Sequence, residues 1–486
     1  MTRIRKTSEI ILSCILVLPL IGCSIEVIGI DHAQGEIAGE VTTDSVILQS
    51  RLTAICEKNH FVNCTVRGTD GVARFEIADN PGFQDSFMTE WIDAVPEKDF
   101  MIKKKVSGLN PGTDYYYRLL YGEDIDTVET GGTCTFRTLD LQSVERQVSF
   151  VAVTGMNYFV FHLFPGPPNK PLGYPALETI LNMDPDFFVG TGDNVYYDAF
   201  PIPATTEAAM RQVWHMQFVQ PRYVSLFSQV PTYWEKDDHD HRYNDSDPYG
   251  EEEPSNALGI QTFLEQVPVV DPEEPDPITY RTIRVNKLLQ LWLTEGRDYR
   301  SPNDMDDGPN KTLWGATQKA WLEQTLLASD ATFKLLISPT PMVGPDDIFL
   351  PWPYEGQPKR DNHTNPGGFR TEGDAFFSWL YDNGFLNKNF YIICGDRHWK
   401  YHSIRPDGFE EFSTGALVDA NSRLGRVPGD PDSTDPDGDI VQPYIDDPET
   451  GGFLEVVVRP GIPATCEFTL YDENGVMLYT ITKTAN

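Results

Sequence analysis

From about residue 148 the chain alternates short apolar runs with longer stretches of helical period. "VSFVAVTG" (148–155) has the continuous apolar character of a buried strand. "YPALETILNMDPDFFVGTGD" (174–193) predicts a helix, a turn and a second strand ending on Gly-Asp. "SLFSQVPTYWEKDDHD" (225–240) predicts a third strand that runs into an acidic loop. "ATQKAWLEQTLLASDATFKLLISPTPM" and "GDAFFSWLYDNGFLNKNFYIICGDRHW" each predict an amphipathic helix followed by a strand. Apolar strands alternating with helices imply a layered α/β fold, which places active groups at the strand C-terminal ends. Residues 32–140 have a different pattern. "SVILQSRL", "VARFEIAD" and "TCTFRTL" are short strand-like runs, and a turn at Asn110-Pro111-Gly112 leads into the alternating aromatic strand "DYYYRLLYG". This stretch resembles fibronectin type III-like sandwiches and predicts one β-sandwich, acting as a packing module or spacer. The α/β domain then covers 145–486, and its strand-rich end, with Asn474-Gly475 as a hairpin turn, is expected to extend one of the sheets.

The first 31 residues stand outside this pattern. Arg3, Arg5 and Lys6 precede "IILSCILVLPL", an apolar core too short to span a bilayer, and "LIGC" follows. The run resembles a bacterial lipoprotein signal over 1–22 with Cys23 as the lipidated residue, then a linker over 23–31. It implies an exported, cell-envelope protein held to the membrane by a lipid anchor. No other apolar run approaches spanning length. In an oxidising compartment, Cys56 and Cys64 in "CEKNHFVNC" are spaced to close a small disulfide loop. Cys394, inside "NFYIIC", is the candidate free thiol.

Composition narrows the partners. A content of 40% hydrophobic and 12% aromatic residues supports a large core and excludes a disordered chain. The net charge of −35 argues against nucleic acid as a bulk partner, since a phosphate backbone needs clustered Lys and Arg. It leaves a small phosphate ester open as substrate, because bound cations outweigh the global field locally.

Four predicted strand ends carry polar groups suited to such cations. Asn157 follows the first strand. Asp193 and Tyr196 follow the second, and Asp237, Asp238, His239 and Asn244 follow the third. Asp396 and His398 follow a later one. Carboxylates, an amide, a phenol and imidazoles suit hard divalent cations and ferric iron better than a thiolate zinc site does. A pair of cations bridged by a carboxylate clamps both oxygens of an in-line phosphoryl displacement, and a nearby His donates a proton to the leaving oxygen. Asp237 is expected as a supporting or additional ligand, and Asp240, His241 and Asp245 as solvated or supporting groups. Arg297 suits either a bidentate phosphate contact or an internal salt bridge. The Asp-rich stretch 429–452 reads as a solvated loop near the site. Trp352 and Tyr354 suit a substrate groove or local packing equally.

The motifs "GDNVY", "DDHDHRYN", "RDYRS", "TLWGATQKAWLEQTLLASDATFKLLISPTPM" and "CGDRHW" resemble the alkaline phosphatase D branch of the calcineurin-like metallophosphatases, over about residues 145–420. The N-terminal sandwich also fits that family. The resemblance implies a metal-dependent phosphomonoesterase or phosphodiesterase using Ca2+ and Fe3+. It implies Asp193 as the bridging carboxylate, Tyr196 as an iron-bound phenolate, and Asp396 and His398 as a pair serving one metal each. Asp238 fills a place taken by Asn in the broader superfamily, before His239, and Asn244 matches a later family Asn. Within the "WGATQKAWL" marker, Trp321 and Leu322 read as packing residues. The chain departs from the family pattern at "TGMNY", where Gly155 stands in the place of a cysteine ligand, and at Tyr243, where Asn is common. The competing readings are a degenerate phosphatase-fold binding lipoprotein, marked by Gly155, and a secreted nuclease, which wants a basic groove.

Overall fold

The computed structural model describes residues 27–56, 66–163, 165–199, 202–350 and 356–486. Cys23, the rest of the signal, Cys64, Trp352 and Tyr354 lie outside the described residues. Cys56 is disulfide-bonded, and Cys134, Cys394 and Cys466 are free and buried.

Two large sheets pack face to face. In one, the parallel strands Val148–Val153, Phe187–Thr191 and Thr232–Glu235 form the centre. In the other, Leu289–Leu293, Phe333–Ser338, Phe390–Cys394 and Glu410–Thr414 run parallel. Side chains alternate across each strand, so every strand serves two layers. Phe150, Leu291, Leu335 and Ile393 enter the core between the sheets. There Phe412 of one sheet stacks on Phe468 of the other at 4.1 Å between ring centroids. Their sequence neighbours face outward under helices. Val151 and Val153 pack with Leu177 and Trp214, and Trp292, Leu336 and Ile392 pack with Leu322 and Phe376. Leu322 is fully buried, whereas Trp321 is only partly so and lies 4.9 Å from the Tyr280 ring. The expected strand after residue 225 begins only at Thr232, because Pro221–Phe227 is helical.

The C-terminal strands Gly452–Arg459, Thr465–Asp472 and Met477–Thr484 extend the first sheet beyond Val148–Val153. At its other side the same sheet continues into the N-terminal region. Ile37–Gly39 pairs in parallel with Thr232–Glu235 through Gly39 and Thr232, and Ser45–Arg51 and Met101–Ser107 follow. The sandwich therefore shares one of its sheets with the α/β region. Its other sheet centres on Gly71–Ala78 and Asp114–Gly122, where the Tyr115 hydroxyl accepts from Asn110 N at 2.9 Å across the expected turn. Lys103 reaches over to helix Asn256–Gln266 and donates to the carbonyls of Leu264, Glu265 and Val267 at 2.8, 2.9 and 2.8 Å, satisfying the helix's open C-terminal end. The N-terminal module is thus packed against the α/β region and is no spacer.

Two expectations change. Val27–Asp31, placed in a linker, is a strand paired with Thr53–Cys56. Within the Asp-rich stretch, Val441–Ile445 is an edge strand of the second sheet. The preceding turn packs on residues 346–348 through Thr434 and Ser433. Among the described residues no helix is long and apolar enough to cross a membrane.

Candidate metal centre

The parallel strands of both sheets deliver their C-terminal loops to one place. Gly395 permits the closest approach: a Cβ there would lie 2.6 Å from the Thr191 carbonyl oxygen and 2.9 Å from that of Pro339. Asp193 and Asp396, on the two loops so joined, both adopt left-handed backbone angles, φ of 54° and 56°. Such a conformation costs a non-glycine residue about 1 kcal/mol and is typical of functional loops.

Asp193, Tyr196 and His398 converge there. Tyr196 Oη donates to Asp193 Oδ2 at 2.9 Å, and His398 Nε2 lies 3.0 Å from each of those oxygens. Asp238 and His239 join from the third strand end: Asp193, Asp238 and His239 each offer a ligand atom, all within 4.8 Å of one another. His239 Nδ1 is bonded to Asp198 Oδ1 at 2.7 Å, which leaves Nε2 as its free ring nitrogen, and its ring lies 4.3 Å from that of Tyr196. Asp396 is buried and pairs with Arg397, which also reaches Asp346 at 3.0 Å.

The acidic loop is not a solvated face. Asp237, Asp238, Asp240 and His241 are all buried. Asp240 takes the backbone N–H groups of Asp237 and Asn194 at 2.7 and 3.1 Å, tying the third loop to the second. His241 bonds Asn256 Oδ1 at 2.7 Å, and Asp245 N donates to Asp238 Oδ2 at 2.5 Å. These three are supporting groups, and none of them is freely solvated.

Three candidate site residues point away from a direct role, Arg297 by taking the internal salt bridge of its two alternatives. Arg297 is fully buried and fully engaged. Its Nε donates to Asp237 Oδ1 at 2.7 Å, its Nη1 to the Ser246 carbonyl at 2.9 Å, and its fork grips Asp361 at 2.7 and 3.0 Å. It is an internal clamp and has no donor left for a phosphate. Asn157 is buried and its Oδ1 accepts from Val160 N at 3.1 Å, capping the helix Tyr158–Leu163. Asn244 is exposed, and its contact with the site is through its backbone N–H, bonded to Asp198 Oδ2 at 2.8 Å. Asp237 is one oxygen on Arg297 and one oxygen free, which suits either a supporting group or a ligand.

Two residues were missed. Asp198 lies two residues beyond the quoted "GDNVY" motif, at the end of "GDNVYYD", and orients His239, so a pair of acids flanking two tyrosines was the available signal. Asn421, whose Nδ2 lies 2.9 Å from Tyr196 Oη, comes from 225 residues away and left no signal in the sequence.

The electrostatics describe a site short of positive charge. Burial pushes the Asp193 carboxyl well above the ordinary range, with Asp238 and Asp396 adding to the rise against His239. Burial likewise raises Asp237, against Arg297. Burial also opposes ionisation of Asp238, but His239 and Arg297 overcome it and hold that carboxyl low. His398 is pushed down to about 3, by burial first and then by Arg423, so it is neutral with a lone pair to offer. Asp193 Oδ1, Asp237 Oδ2 and Asp238 Oδ1 are buried, with no hydrogen-bond partner among the described residues. Unpaired buried carboxylate oxygens are costly and rare, and a cation held among them would satisfy them. The donor set therefore fits a hard metal ion.

Comparisons with known proteins bear on the fold and the family. The family model of PhoD-like phosphatases matches residues 150–424, and that of the PhoD-like phosphatase N-terminal domain matches 31–139. No curated protein matches the chain. Among solved structures, one described as the structure of PhoD is 18% identical, covering 93% of this chain and 89% of its own, with a TM-score of 0.69. A purple acid phosphatase, PPD1 from yellow lupin (Lupinus luteus) seeds, is 12% identical, covering 94% of this chain and 74% of its own, with a TM-score of 0.59. These likenesses show a shared fold, and the match to the family model, spanning more than half of the chain, shows its kin. The chain belongs to the PhoD-like phosphatase family and is a hydrolase of phosphoric esters.

Proposed function

We propose that the protein is an exported, lipid-anchored phosphoesterase whose reaction depends on metal ions, calcium and ferric iron being the pair its donors suit. The observation that carries the metal dependence is the set of buried, unbonded oxygens on Asp193, Asp237 and Asp238, with His398 Nε2 3.0 Å from Asp193 Oδ2. Asp193, Tyr196, Asp238, Asp396 and His398 would hold the ions, with Asp237 beside them. Oxygen donors suit calcium, and a phenol with an imidazole suits ferric iron. Metal bound there supplies neutralisation of phosphoryl charge and an acidified water as nucleophile.

The protein's own groups do the rest. Asp198 fixes the His239 ring, and Asp198, Asp238 and Asp193 together hold its proton well above the ordinary range against burial. His239 is thereby a charged donor for the leaving oxygen of the ester. Arg297 acts at one remove, by holding Asp237 and the base of the acidic loop. Export and the lipid anchor rest on "IILSCILVLPLIGC" and Cys23, and phosphate scavenging outside the cytoplasm is a role that suits them.

Elemental analysis of the purified protein, paired with assays on p-nitrophenyl phosphate and bis-p-nitrophenyl phosphate, tests the reading. Hydrolysis that is abolished by chelation and restored by calcium and iron is expected. Asp193→Asn is expected to lose metal and activity together. Full activity in the chelated protein, or in Asp193→Asn, rejects the metal dependence. Labelling of Cys23 by a radiolabelled fatty acid in a bacterial host tests the anchor.

A further inference from the structure

Tyr196 Oη has a partner that the metal reading does not require. Asn421 ends the short turn Asp419–Asn421, and its Nδ2 lies 2.9 Å from Tyr196 Oη and 3.2 Å from the Gly155 carbonyl oxygen. The second contact fixes the orientation of the amide. A carbonyl oxygen only accepts, so the group facing Gly155 is the NH2, and the same group therefore donates to the tyrosine. The segment carrying Asn421 is secured to the first strand end, since Leu417 N donates to the Thr154 carbonyl at 2.8 Å and Ala416 bridges Thr154.

Residue 155 is closed to a side chain. Gly155 has φ of 67°, and a Cβ there would lie 2.7 Å from Ala416 Cβ, 2.8 Å from Ala416 Cα and 3.4 Å from Asn421 Nδ2. The Ala416 backbone occupies the space, so it is not a void awaiting a ligand. The bare backbone at 155 presents its carbonyl to Asn421, and Asn421 presents its amide to Tyr196.

We propose that Asn421 is a positioning residue of the metal centre, anchored on the Gly155 carbonyl and aiming the Tyr196 oxygen at the metal by donating a hydrogen bond to it. The proposal rests on the metal reading above. Among the described residues, the other partners of Tyr196 Oη are Asp193 Oδ2 and His398 Nε2, both of which would serve a bound cation. On holding a cation, the phenol would give up its proton to solvent. The Asn421 N–H then remains as the donor to an anionic oxygen, and such charge-assisted bonds are about twice as strong as neutral ones.

The test uses the full-length protein stripped of metal and titrated with ferric ion, and separately with zinc. The near-ultraviolet phenolate band and the visible phenolate-to-iron band are followed, and Tyr196→Phe assigns both. Asn421→Leu is expected to move the ferric band to longer wavelength, because an unbonded phenolate gives up its electrons more easily. Its apparent affinity for ferric ion should fall about tenfold. Asn421→Gln, which keeps an amide, should recover part of both. A ferric band and affinity in Asn421→Leu equal to those of the wild type overturn the proposal, as does metal binding with no Tyr196-dependent band. Should Asn421→Leu not fold by circular dichroism, Asn421→Ala serves in the same comparison. Failure of the wild type to bind either ion would instead overturn the metal reading and this proposal with it, which distinguishes the two.

Discussion

Replacing Arg297 by Met separates an internal clamp from a substrate contact. The substitution keeps most of the side-chain length and removes the charge and all the donors. Asp237 Oδ1 loses its bond at 2.7 Å, the Ser246 carbonyl loses one at 2.9 Å, and Asp361 loses both arms of the fork. Asp361 keeps Arg300 at 2.6 Å, so it is only partly stranded. Among the described residues, Asp237 has no other cation within salt-bridge reach, and it is fully buried. Removing one partner of a buried pair costs about 3–5 kcal/mol, and the surviving Arg300 contact places the expected loss near the middle, about 4 kcal/mol. At about 2–4 °C per kcal/mol for larger domains, the melting temperature should fall by about 8–16 °C. Differential scanning calorimetry at neutral pH reads this, with metal saturating in both proteins so that binding does not mask the difference. Activity measured well below the transition should fall less than stability implies. A melting temperature unchanged within about 1 °C, together with a loss of kcat/KM of about a hundredfold, would refute the clamp and restore Arg297 as a phosphate contact.

Three further outcomes are expected. Asp198→Ala frees His239 Nδ1 and removes the acceptor for Asn244 N. It should lower kcat by about 10–100-fold and move the alkaline limb of the pH–rate profile to lower pH, because His239 then gives up its proton more readily. Gly155→Ala places a methyl against Ala416 at a positive φ and should cost about 2–4 kcal/mol in urea unfolding, with Ala416→Gly restoring only part because the backbone of residue 416 still crowds the new methyl. Asp346 is raised by burial but pulled down to about 2 by Arg397 and Lys359, with the amides of Asn362 and Asn365 assisting. A carboxyl lowered in the folded state contributes stability that is full above its unfolded pKa and is lost as pH falls through its folded pKa. Asp346→Asn should therefore be less stable than the wild type at neutral pH and lose less between about pH 4 and pH 2, as followed by fluorescence-detected unfolding.

The layered core was legible because several of its strands, Phe333–Ser338 and Phe390–Cys394 among them, are apolar runs long enough to register and follow a helix in the chain. The convergence of Asp193, Tyr196, Asp238, His239, Asp396 and His398 was legible because, although each strand-end motif alone is weak, four such ends occur in order along one chain. What the sequence withheld was the direction of side chains. Arg297 beside an acid reads the same whether it faces substrate or a buried carboxylate, and only its burial against Asp237 and Asp361 decides. Asp240 and His241 read as either solvated or supporting groups, because their partners, Asn194 and Asn256, are not their neighbours in sequence. Asn157 and Asn244 sit in the right motifs, yet one caps a helix and the other turns outward. The join between the two regions left no trace, since Ile37–Gly39 is too short for any period to show.

That join makes the N-terminal module an edge guard for the strand that carries the acidic loop. With Ile37–Gly39 removed, Thr232–Glu235 would become the last strand of its sheet, offering unpaired backbone groups to any passing chain. The dependence also runs the other way in time. As the polypeptide is synthesised, Ile37–Gly39 emerges long before the strand it must meet. Ser45–Arg51 pairs with one side of it early, but its other side has to wait for some 190 further residues before the sheet closes. A cut between the two regions would thus leave a raw margin on both pieces, and exchange of the N-terminal module between relatives would have to preserve strand register as well as surface fit.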